Sequence, residues 1–483
     1  MKKLLFVMTG LLTMTAVHAQ ELRLNELDYF ERQGVNILVF SNSFNGGFND
    51  EKNSGIEIIH HGVRTIQGGA VRLNNTPEQW DRNNNNLKKM KDFNYYAPTE
   101  VVFGKESEEQ VAQLIKKYGG TKVLVHYGGK SAERSGLLDK ICGLLTAGGV
   151  EFIKLGGVVP NPRLSLAQQG IDLCRKEGVD FILAVGGGSV IDSAKCIAYG
   201  VPYEGNVWDF YLGKAEPKTM LPVASVLTIP AAGSEMSEAS VITNEDGDVK
   251  LGYSNNLSRP KFAIMNPERT FTLPPYQTAA GVTDMMMQIF ERYITKDDDM
   301  DLTTNLAEAT LRTIKDAVFA VLKDPEDYRY RAQIMWGGSV AHWGLLGKGV
   351  QEDWATHKLE HELSGMFDVT HGAGLAAIWP SWARYTMHEN LRRFVRFAVN
   401  VMDVPNDFTD PEGTALKGIE AVERFYHAIG MPINIKELIG KDITDEEIKE
   451  MVRKCSRDYT ATCGGLKVLK AEDMEAIYRM ARG

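Results

Sequence analysis

Apolar and polar positions change their pattern twice along the chain. From Asn94 onward, short apolar runs alternate with stretches of helical periodicity. The runs at 122–127 and 181–185 predict buried strands, and glycines and then a helical pattern, such as 192–199, follow them. Strand and helix alternating at this spacing are typical of βαβ units. We therefore predict an α/β domain with a parallel sheet over residues 90–276.

Beyond about Pro275 the strand patterns nearly vanish. Long stretches with helical periodicity replace them, at 279–295, 305–322 and 415–429. The second half of the chain, residues 277–483, is therefore predicted to be a helical domain.

Residues 20–89 differ from both of these regions. Strand-like runs at 35–40 and 55–60 are separated by turns rich in Asn and Gly, which predicts a small appended antiparallel module. Four consecutive asparagines at 83–86 indicate a polar linker. Met90 follows two lysines and is typical of the first residue of a second protein.

The first nineteen residues carry a secretory signal peptide pattern. Two lysines precede an apolar run at 4–17, and small residues end the segment at Ala19. A buried N-terminal helix is the alternative interpretation. No other run approaches eighteen apolar residues, so the sequence predicts no transmembrane helix.

Composition narrows the classes of function. With 483 residues, 43% of them hydrophobic and 24% charged, the chain can bury a large core. The net charge of −9 and a pI near 5.7 argue against nucleic-acid binding. Five cysteines form no CxxC pair, so we expect reduced thiols and neither a disulfide framework nor a cysteine zinc site.

A run of three glycines and a serine, Gly186 to Ser189, follows a buried-type strand and opens a helix. Backbone N–H groups at such a helix N-terminus favour a phosphate, and glycines let the ligand approach closely. A turn that only reverses the chain is the alternative. The small-residue segment at 228–237 either lines the same nucleotide cleft or is a plain loop.

A second glycine turn, at 127–131, follows the earlier strand. No acidic residue ends that strand to accept hydrogen bonds from a ribose 2′-hydroxyl, whereas Gly129, Lys130 and Ser131 suit a 2′-phosphate. The pattern therefore favours NADP(H) over NAD(H), with a surface turn as the alternative.

Three of the ten histidines fall within fifteen residues. His357 and His361 are four residues apart and project from one face of a predicted helix, and we expect His371 in the loop after it. Converging imidazoles indicate metal or proton chemistry, and surface histidines clustered by chance are the alternative. Asp284 shares a predicted helix face with Gln288, and a carboxylate among apolar neighbours is a credible partner for the histidines.

Several motifs together resemble the iron-containing (group III) alcohol dehydrogenases, and within them the NADPH-dependent butanol dehydrogenase or aldehyde reductase branch. They cover about residues 90–483 and occur in the family's order: FNYYAPTEVVFG at 93–104, GGGSxxDxxK at 186–195, Gly233-Ser234-Glu235, Asp284, and DWATHxxxHELS with the later His371. Residues 21–81 resemble instead the N-terminal segment of secreted Bacteroidetes glycan-degrading enzymes.

The resemblance implies a dehydroquinate-synthase-like fold, with a nucleotide-binding α/β domain, an all-α domain and a divalent metal ion, iron or zinc, in the cleft between them. It assigns the metal to Asp284, Gln288, His357 and His371, although Gln288 stands where the family usually has a histidine. An amide oxygen ligates a borderline metal less strongly than an imidazole does. His361 matches a further active-site histidine near the substrate and the nicotinamide.

The resemblance also implies the NADP(H) contacts. The family's cofactor residues carry over to Gly187, Gly188, Ser189, Ser237 and Lys250, with Gly129 and Ser131 at the 2′-phosphate end. A threonine that often follows the family's Ile-Pro pair is replaced here by Ala231-Ala232.

The expected reaction is reversible reduction of a small aldehyde to a primary alcohol by NADPH, with the metal polarising the carbonyl and His361 relaying the proton. We expect a homodimer. The alternatives are a polyol dehydrogenase of the same superfamily, and an exported glycan-related protein carrying an inactive dehydrogenase-like fold. A signal peptide indicates export, whereas NADPH chemistry indicates the cytoplasm, with translation starting at Met90.

Overall fold

The structure is a computed structural model that describes residues 90–297 and 300–483, together with the backbone of four short strands in the first 65 residues. The side chains of residues 130 and 131 lie outside this description. The chain divides into two compact units, Met1–Leu87 and Lys88–Gly483. Except for a strand at Lys2–Val7, the predicted signal peptide lies outside the described residues, and so does the Asn-rich linker. Both remain predictions.

The four described strands of the first unit form two antiparallel pairs. One pair joins β1 (Lys2–Val7) to β2 (Ile37–Asn42), and the other joins β3 (Ile56–Ile59) to β4 (Gly62–Thr65). The strand runs predicted at 35–40 and 55–60 overlap β2 and β3.

A six-stranded parallel sheet organises the first half of the second unit, in the order β5-β12-β9-β8-β6-β7. The parallel α/β domain predicted from the strand and helix alternation is thereby confirmed. The strands are β5 (Glu100–Phe103), β6 (Lys122–Gly128), β7 (Glu151–Val158), β8 (Phe181–Gly186), β9 (Val223–Leu227) and β12 (Phe262–Met265).

Both faces of this sheet are buried, which explains why its central strands are largely apolar. Every residue of β8 is buried, and its side chains alternate between two cores. Ile182 packs into the core on one face, whereas Phe181 and Leu183 pack into the core on the other. The flanking helices are α1 (Val111–Lys117), α2 (Lys130–Arg134), α3 (Leu137–Ala147), α4 (Leu164–Glu177), α5 (Gly188–Gly200) and α6 (Trp208–Tyr211).

An antiparallel hairpin that the sequence pattern did not single out stands beside the sheet. It consists of β10 (Ala239–Asn244) and β11 (Val249–Ser254), and it carries Lys250. Its strand β10 lies against α5, while β11 lies against the second half of the chain.

The second half is helical, as predicted, and no strand is described there. Its core surrounds helix α7, in which every residue from Thr278 to Tyr293 is buried. Phe290 of this helix packs against Trp379 and Phe397. The helices are α7 (Pro275–Tyr293), α8 (Asp301–Lys323), α9 (Tyr328–His342), α10 (Ala355–Phe367), α11 (His371–Thr386), α12 (Leu391–Asn400), α13 (Pro411–Ala428), α14 (Ile435–Ile439), α15 (Asp445–Cys455) and α16 (Ala471–Met480).

The expectation that His371 lies in a loop is wrong. Asp368 adopts a left-handed conformation that ends α10, and His371 is already the first residue of α11. The backbone therefore reverses within three residues, which brings the two helices together.

Among the described helices, none has the length and apolar content needed to cross a bilayer. All five cysteines are free thiols.

Candidate active site

One cavity of about 1440 Å³ lies between the sheet and the helical half of the second unit. The carboxyl ends of β6 and β8 border it, as do α5, β11, α7, α10 and α11. It is lined by eleven of the twelve site residues predicted from the sequence: Gly129, Gly187, Gly188, Ser189, Ser237, Lys250, Asp284, Gln288, His357, His361 and His371. The twelfth, Ser131, lies in α2 with its side chain outside the described part of the chain.

The glycine turn after β8 forms one end of the cavity. Gly187 is extended and precedes the first turn of α5, which contains no acidic residue. A Cβ on Gly186 would lie 2.4 Å from a methyl carbon of Val190, so this position requires glycine. A Cβ on Gly188 would meet only Ala232, at 3.7 Å, which leaves room at the helix N-terminus for an anionic group.

Asp192 and Lys195, one and two turns into α5, hold the segment that faces this turn. The Nζ atom of fully buried Lys195 donates to the carbonyl oxygens of Ser234, Ser237 and Ala239 at 2.7, 2.9 and 2.8 Å. Asp192 accepts from the hydroxyl of Ser234. Burial lowers the pKa of Lys195 to about 8, although the Asp192 carboxylate opposes that shift. The GGGSxxDxxK motif thus shapes both walls of the cavity at this glycine turn.

Asp284, His357 and His371 converge at the other end, from α7, α10 and α11. Each offers one ligand atom, and these atoms lie within 4.8 Å of one another. The Nε2 atom of His357 is 3.8 Å from Oδ1 of Asp284. Two imidazoles and a carboxylate at this separation, opening onto a cavity, fit a divalent transition-metal ion that keeps positions open for a substrate.

A buried carboxylate orients each of the two histidines. Oε1 of Glu291 lies 3.0 Å from Nδ1 of His357, and Glu360 accepts from Nδ1 of His371. Such partners fix the tautomer of a ligating imidazole and direct its other nitrogen toward the ion. Sequence reasoning missed both glutamates, although Glu291 follows Asp284 by two helical turns and Glu360 stands between two of the histidines.

Glu291 also builds the helix that carries His357. Its carboxylate accepts from the backbone N–H groups of Trp354 at 2.7 Å and His357 at 3.0 Å, at the start of α10. It therefore satisfies orphan donors of the helix N-terminus and positions the imidazole at the same time. Although burial lowers it, hydrogen bonds to Asp284 and Glu291 raise the pKa of His357 to about 9. The two carboxylates thus favour positive charge at this ring.

Glu360 links His371 to the hairpin of β10 and β11. Its Oε2 atom lies 3.7 Å from Nζ of Lys250, and its Oε1 atom accepts from the hydroxyl of Ser364. Burial raises the pKa of Glu360, but the neighbouring His371 and Lys250 outweigh that effect and hold it well below its usual value. Lys250 therefore lies beside the carboxylate that orients His371.

Gln288 presents its amide nitrogen to the cluster. The Nε2 atom lies 3.1 Å from Oδ1 of Asp284 and 2.8 Å from Nε2 of His357. Its Oε1 atom points away and contacts Nη1 of Arg292 at 3.2 Å and Nδ1 of His342 at 2.6 Å. Sequence reasoning singled out neither Arg292 nor His342, because nothing in the local pattern places them beside Gln288.

His361 lines the cavity next to the cluster. Its ring centroid is 5.8 Å from that of His371. Burial, reinforced by the charge of Lys250, holds the pKa of His361 well below its usual value. The imidazole is therefore neutral, with one nitrogen able to accept a proton and the other able to donate one.

Comparisons with known proteins agree with this site. The family model for iron-containing alcohol dehydrogenase matches residues 98–267, and the model for the C-terminal region of the Fe-containing alcohol dehydrogenase family matches residues 278–482. Together they cover more than half of the sequence. The chain therefore belongs to the iron-containing alcohol dehydrogenase family, which confirms the resemblance found in its motifs.

Two relatives illustrate the range of the similarity. A probable NADH-dependent butanol dehydrogenase of Bacillus subtilis is 39% identical over 81% of this chain and 99% of its own length. The NADPH-dependent aldehyde reductase YqhD of Escherichia coli is 32% identical over 81% of this chain and 100% of its own length. Among solved structures, the NADH-dependent butanol dehydrogenase A of Thermotoga maritima superimposes with a TM-score of 0.78 at 36% identity, covering 82% of this chain and 100% of its own.

Proposed function

We propose that this protein is a metal-dependent oxidoreductase that transfers hydride between NADPH and a small aldehyde or primary alcohol. One observation carries the proposal: a single cavity joins a glycine turn at a helix N-terminus to a cluster of two histidines and an aspartate. A phosphate-binding end and a metal-binding end in one cavity suit a nicotinamide enzyme whose substrate lies between them.

The cofactor is expected to lie along the sheet edge. Gly187, Gly188 and Ser189 would bind its pyrophosphate through the N-terminus of α5. Ser237 and Lys250 would contact the part that reaches toward the metal. Gly129 and Ser131 would take the 2′-phosphate.

The choice of NADPH over NADH rests on the end of β6. This strand ends in Gly128 without an acidic residue to bind a ribose 2′-hydroxyl. The names of the relatives include both cofactors, NADH in the butanol dehydrogenases and NADPH in the aldehyde reductase. Relative turnover with the two cofactors is therefore part of the test.

Asp284, His357 and His371 would hold the metal, iron or zinc. When bound, the metal supplies Lewis-acid polarisation of the carbonyl, and the nicotinamide supplies the hydride. Glu291 and Glu360 keep the two imidazoles oriented. Neutral His361, beside this cluster, would hold and pass on the proton that the product oxygen needs.

The test is NADPH oxidation by the purified full chain with butanal, before and after treatment with a chelator. We expect turnover that the chelator abolishes and that added Fe²⁺ or Zn²⁺ restores, and a lower kcat/KM with NADH. Asp284→Ala should lose both metal and activity, whereas exposed His388→Ala should lose neither. Absence of turnover with butanal in the presence of either metal would contradict the proposal.

1,3-Propanediol and its aldehyde form the second arm of the assay. Two relatives named 1,3-propanediol dehydrogenase are 27% and 26% identical to this chain. A kcat/KM for the diol above that for butanol would favour a polyol dehydrogenase.

A further inference from the structure

We infer that Arg292 holds Gln288 outside the coordination sphere of the metal. The ion then has three protein ligands, Asp284, His357 and His371. The inference rests on the metal dependence proposed above, and it concerns the one position at which this chain departs from the ligand pattern that the resemblance implies.

Arg292 decides which way the Gln288 amide points. Its side chain is 5% exposed, and its Nη1 atom lies 2.6 Å from the backbone oxygen of Gln288 and 3.2 Å from Oε1. A guanidinium carries only donors, so the atom that faces it must be the amide oxygen. The guanidinium is held in place by stacking over the ring of Trp354, at 4.6 Å, and by Glu352, at 3.7 Å.

The amide nitrogen consequently faces the ligands. It lies 3.1 Å from Oδ1 of Asp284 and 2.8 Å from Nε2 of His357. Nδ1 of His357 lies against Glu291, so in the neutral ring Nε2 carries the lone pair, and a metal ion would bind there. An amide N–H and a metal ion compete for this lone pair, because it can serve only one of them. Gln288 in this orientation opposes the ion.

Turning the amide over would be unfavourable. It would place the NH₂ group against the guanidinium of Arg292, donor against donor, and would lose a charge-assisted hydrogen bond. His342, the other neighbour of Oε1, could adapt, because a neutral imidazole donates in one tautomer and accepts in the other. Arg292 cannot adapt, and it is therefore the residue that sets the orientation.

The consequence is a site with two histidines and one carboxylate. Such a set leaves more positions open on the ion than four protein ligands do. We expect it to bind a divalent transition ion more weakly than a site in which position 288 supplies a third imidazole.

Calorimetric titration of Zn²⁺ into the chelator-treated full chain tests this, because it reads metal affinity without catalysis. Gln288→Ala should bind Zn²⁺ at least as tightly as the native chain, since no ligand is lost and the competing amide N–H is removed. Gln288→His should bind about tenfold more tightly or better, since an imidazole is gained. Gln277→Ala, a glutamine of α7 that also lines the cavity, is the matched control and should leave the Kd unchanged.

Arg292→Met separates the orientation effect from the loss of charge. With Gln288 present, this substitution frees the amide to turn its oxygen to the ion, so it should lower the Kd for Zn²⁺. With Gln288→Ala there is no amide to turn, so the same substitution should lower the Kd for Zn²⁺ by less. Equal effects in both backgrounds would overturn the inference. So would a weakening of about tenfold or more in Gln288→Ala, because removing a side chain that opposes the ion cannot weaken its binding.

His357→Ala identifies the site, because it should abolish the titration in every background. Failure of both the native chain and Gln288→His to bind Zn²⁺ would overturn the proposed metal dependence together with this inference. A tenfold loss in Gln288→Ala alone would overturn only the inference.

Discussion

Glu291 accepts a hydrogen bond from Nδ1 of His357 across 3.0 Å, and Nε2 of the same ring faces Asp284. We predict that Glu291→Gln weakens Zn²⁺ binding by about 10- to 100-fold, the range found when a carboxylate behind a ligating histidine is removed. The amide oxygen can still receive one of the two backbone N–H groups at the start of α10, so the fold should persist. Titration of Zn²⁺, with circular dichroism as the check on folding, measures this.

The control for that variant is Glu475→Gln, because Glu475 pairs with Arg479 at the surface. It should leave the Kd for Zn²⁺ unchanged. An unaltered Kd in Glu291→Gln as well would show that the orienting contact contributes nothing to metal binding.

His361 is predicted to act on the proton and not on the metal. His361→Ala should lower kcat by about 100-fold, the lower range for the loss of a general acid or base, while Zn²⁺ content stays at the native level. The assay is NADPH-dependent butanal reduction combined with metal analysis. Loss of the metal in this variant, or a kcat within a factor of two of the native value, would contradict the assignment.

Gly188 provides a test of the cofactor end. In Gly188→Val the Cβ would have only Ala232 as a neighbour, at 3.7 Å, so the fold should tolerate it. The side chain would nevertheless stand at the N-terminus of α5, where the pyrophosphate is expected. The KM for NADPH should rise about tenfold or more, as for the loss of one charge-assisted hydrogen bond. Gly143→Val, at an exposed position of α3 with nothing within 4 Å of its Cβ, is the control and should bind NADPH normally.

The buried ion pair of Glu108 and Arg269, away from the site, allows a prediction about the free energy of unfolding. Glu108 is inaccessible to solvent, and it accepts hydrogen bonds from Arg269 and from Asn266. Burial raises the pKa of Glu108, but the hydrogen bonds from Arg269, from Asn266 and from a backbone N–H, together with the charge of Arg269, outweigh burial and bring the pKa below its usual value. A lowered folded pKa contributes stability that is present above the unfolded value and is lost as pH falls through the folded value.

Arg269→Met leaves that carboxylate buried with Asn266 as a hydrogen-bond donor and Lys140, at 3.8 Å, as the remaining cation. It should lower the free energy of unfolding by about 3 kcal/mol at pH 7. The difference from the native protein should shrink as pH falls below the unfolded pKa, because the glutamate of the variant takes up a proton. Urea unfolding at pH 7 and pH 4 measures both values. Arg424→Met, at an exposed pair with Glu420, should cost no more than about 0.5 kcal/mol.

Much of the fold was predictable because burial restricts which residue types occur along a strand or a helix. A strand with both faces covered is largely apolar, and β8 is so throughout, while a helix packed on one side repeats its apolar residues at helical spacing. Both halves of the second unit could therefore be recognised. The order of the strands and the hairpin of β10 and β11 could not, since pairing depends on contacts between distant segments that leave no periodic signal.

The same division applies to the site. The sequence by itself determined the chemical types present and the family, through motifs in which residues a few positions apart act together. Only the tertiary structure decided that Glu291 stands behind His357, 66 positions away, and that Lys250 of the hairpin approaches Glu360. It also showed that His371 lies at the start of α11 and not in a loop, because the backbone reverses at Asp368.

Gln288 shows the physical reason most directly. Its identity, and the departure from histidine that the resemblance brings out, can be read from the sequence alone. Whether its oxygen or its nitrogen faces the metal ligands depends on Arg292, one helical turn further on, and on His342 of another helix. An amide is nearly symmetric in shape, so neither spacing nor periodicity selects its orientation. The donors that surround it in the folded chain do.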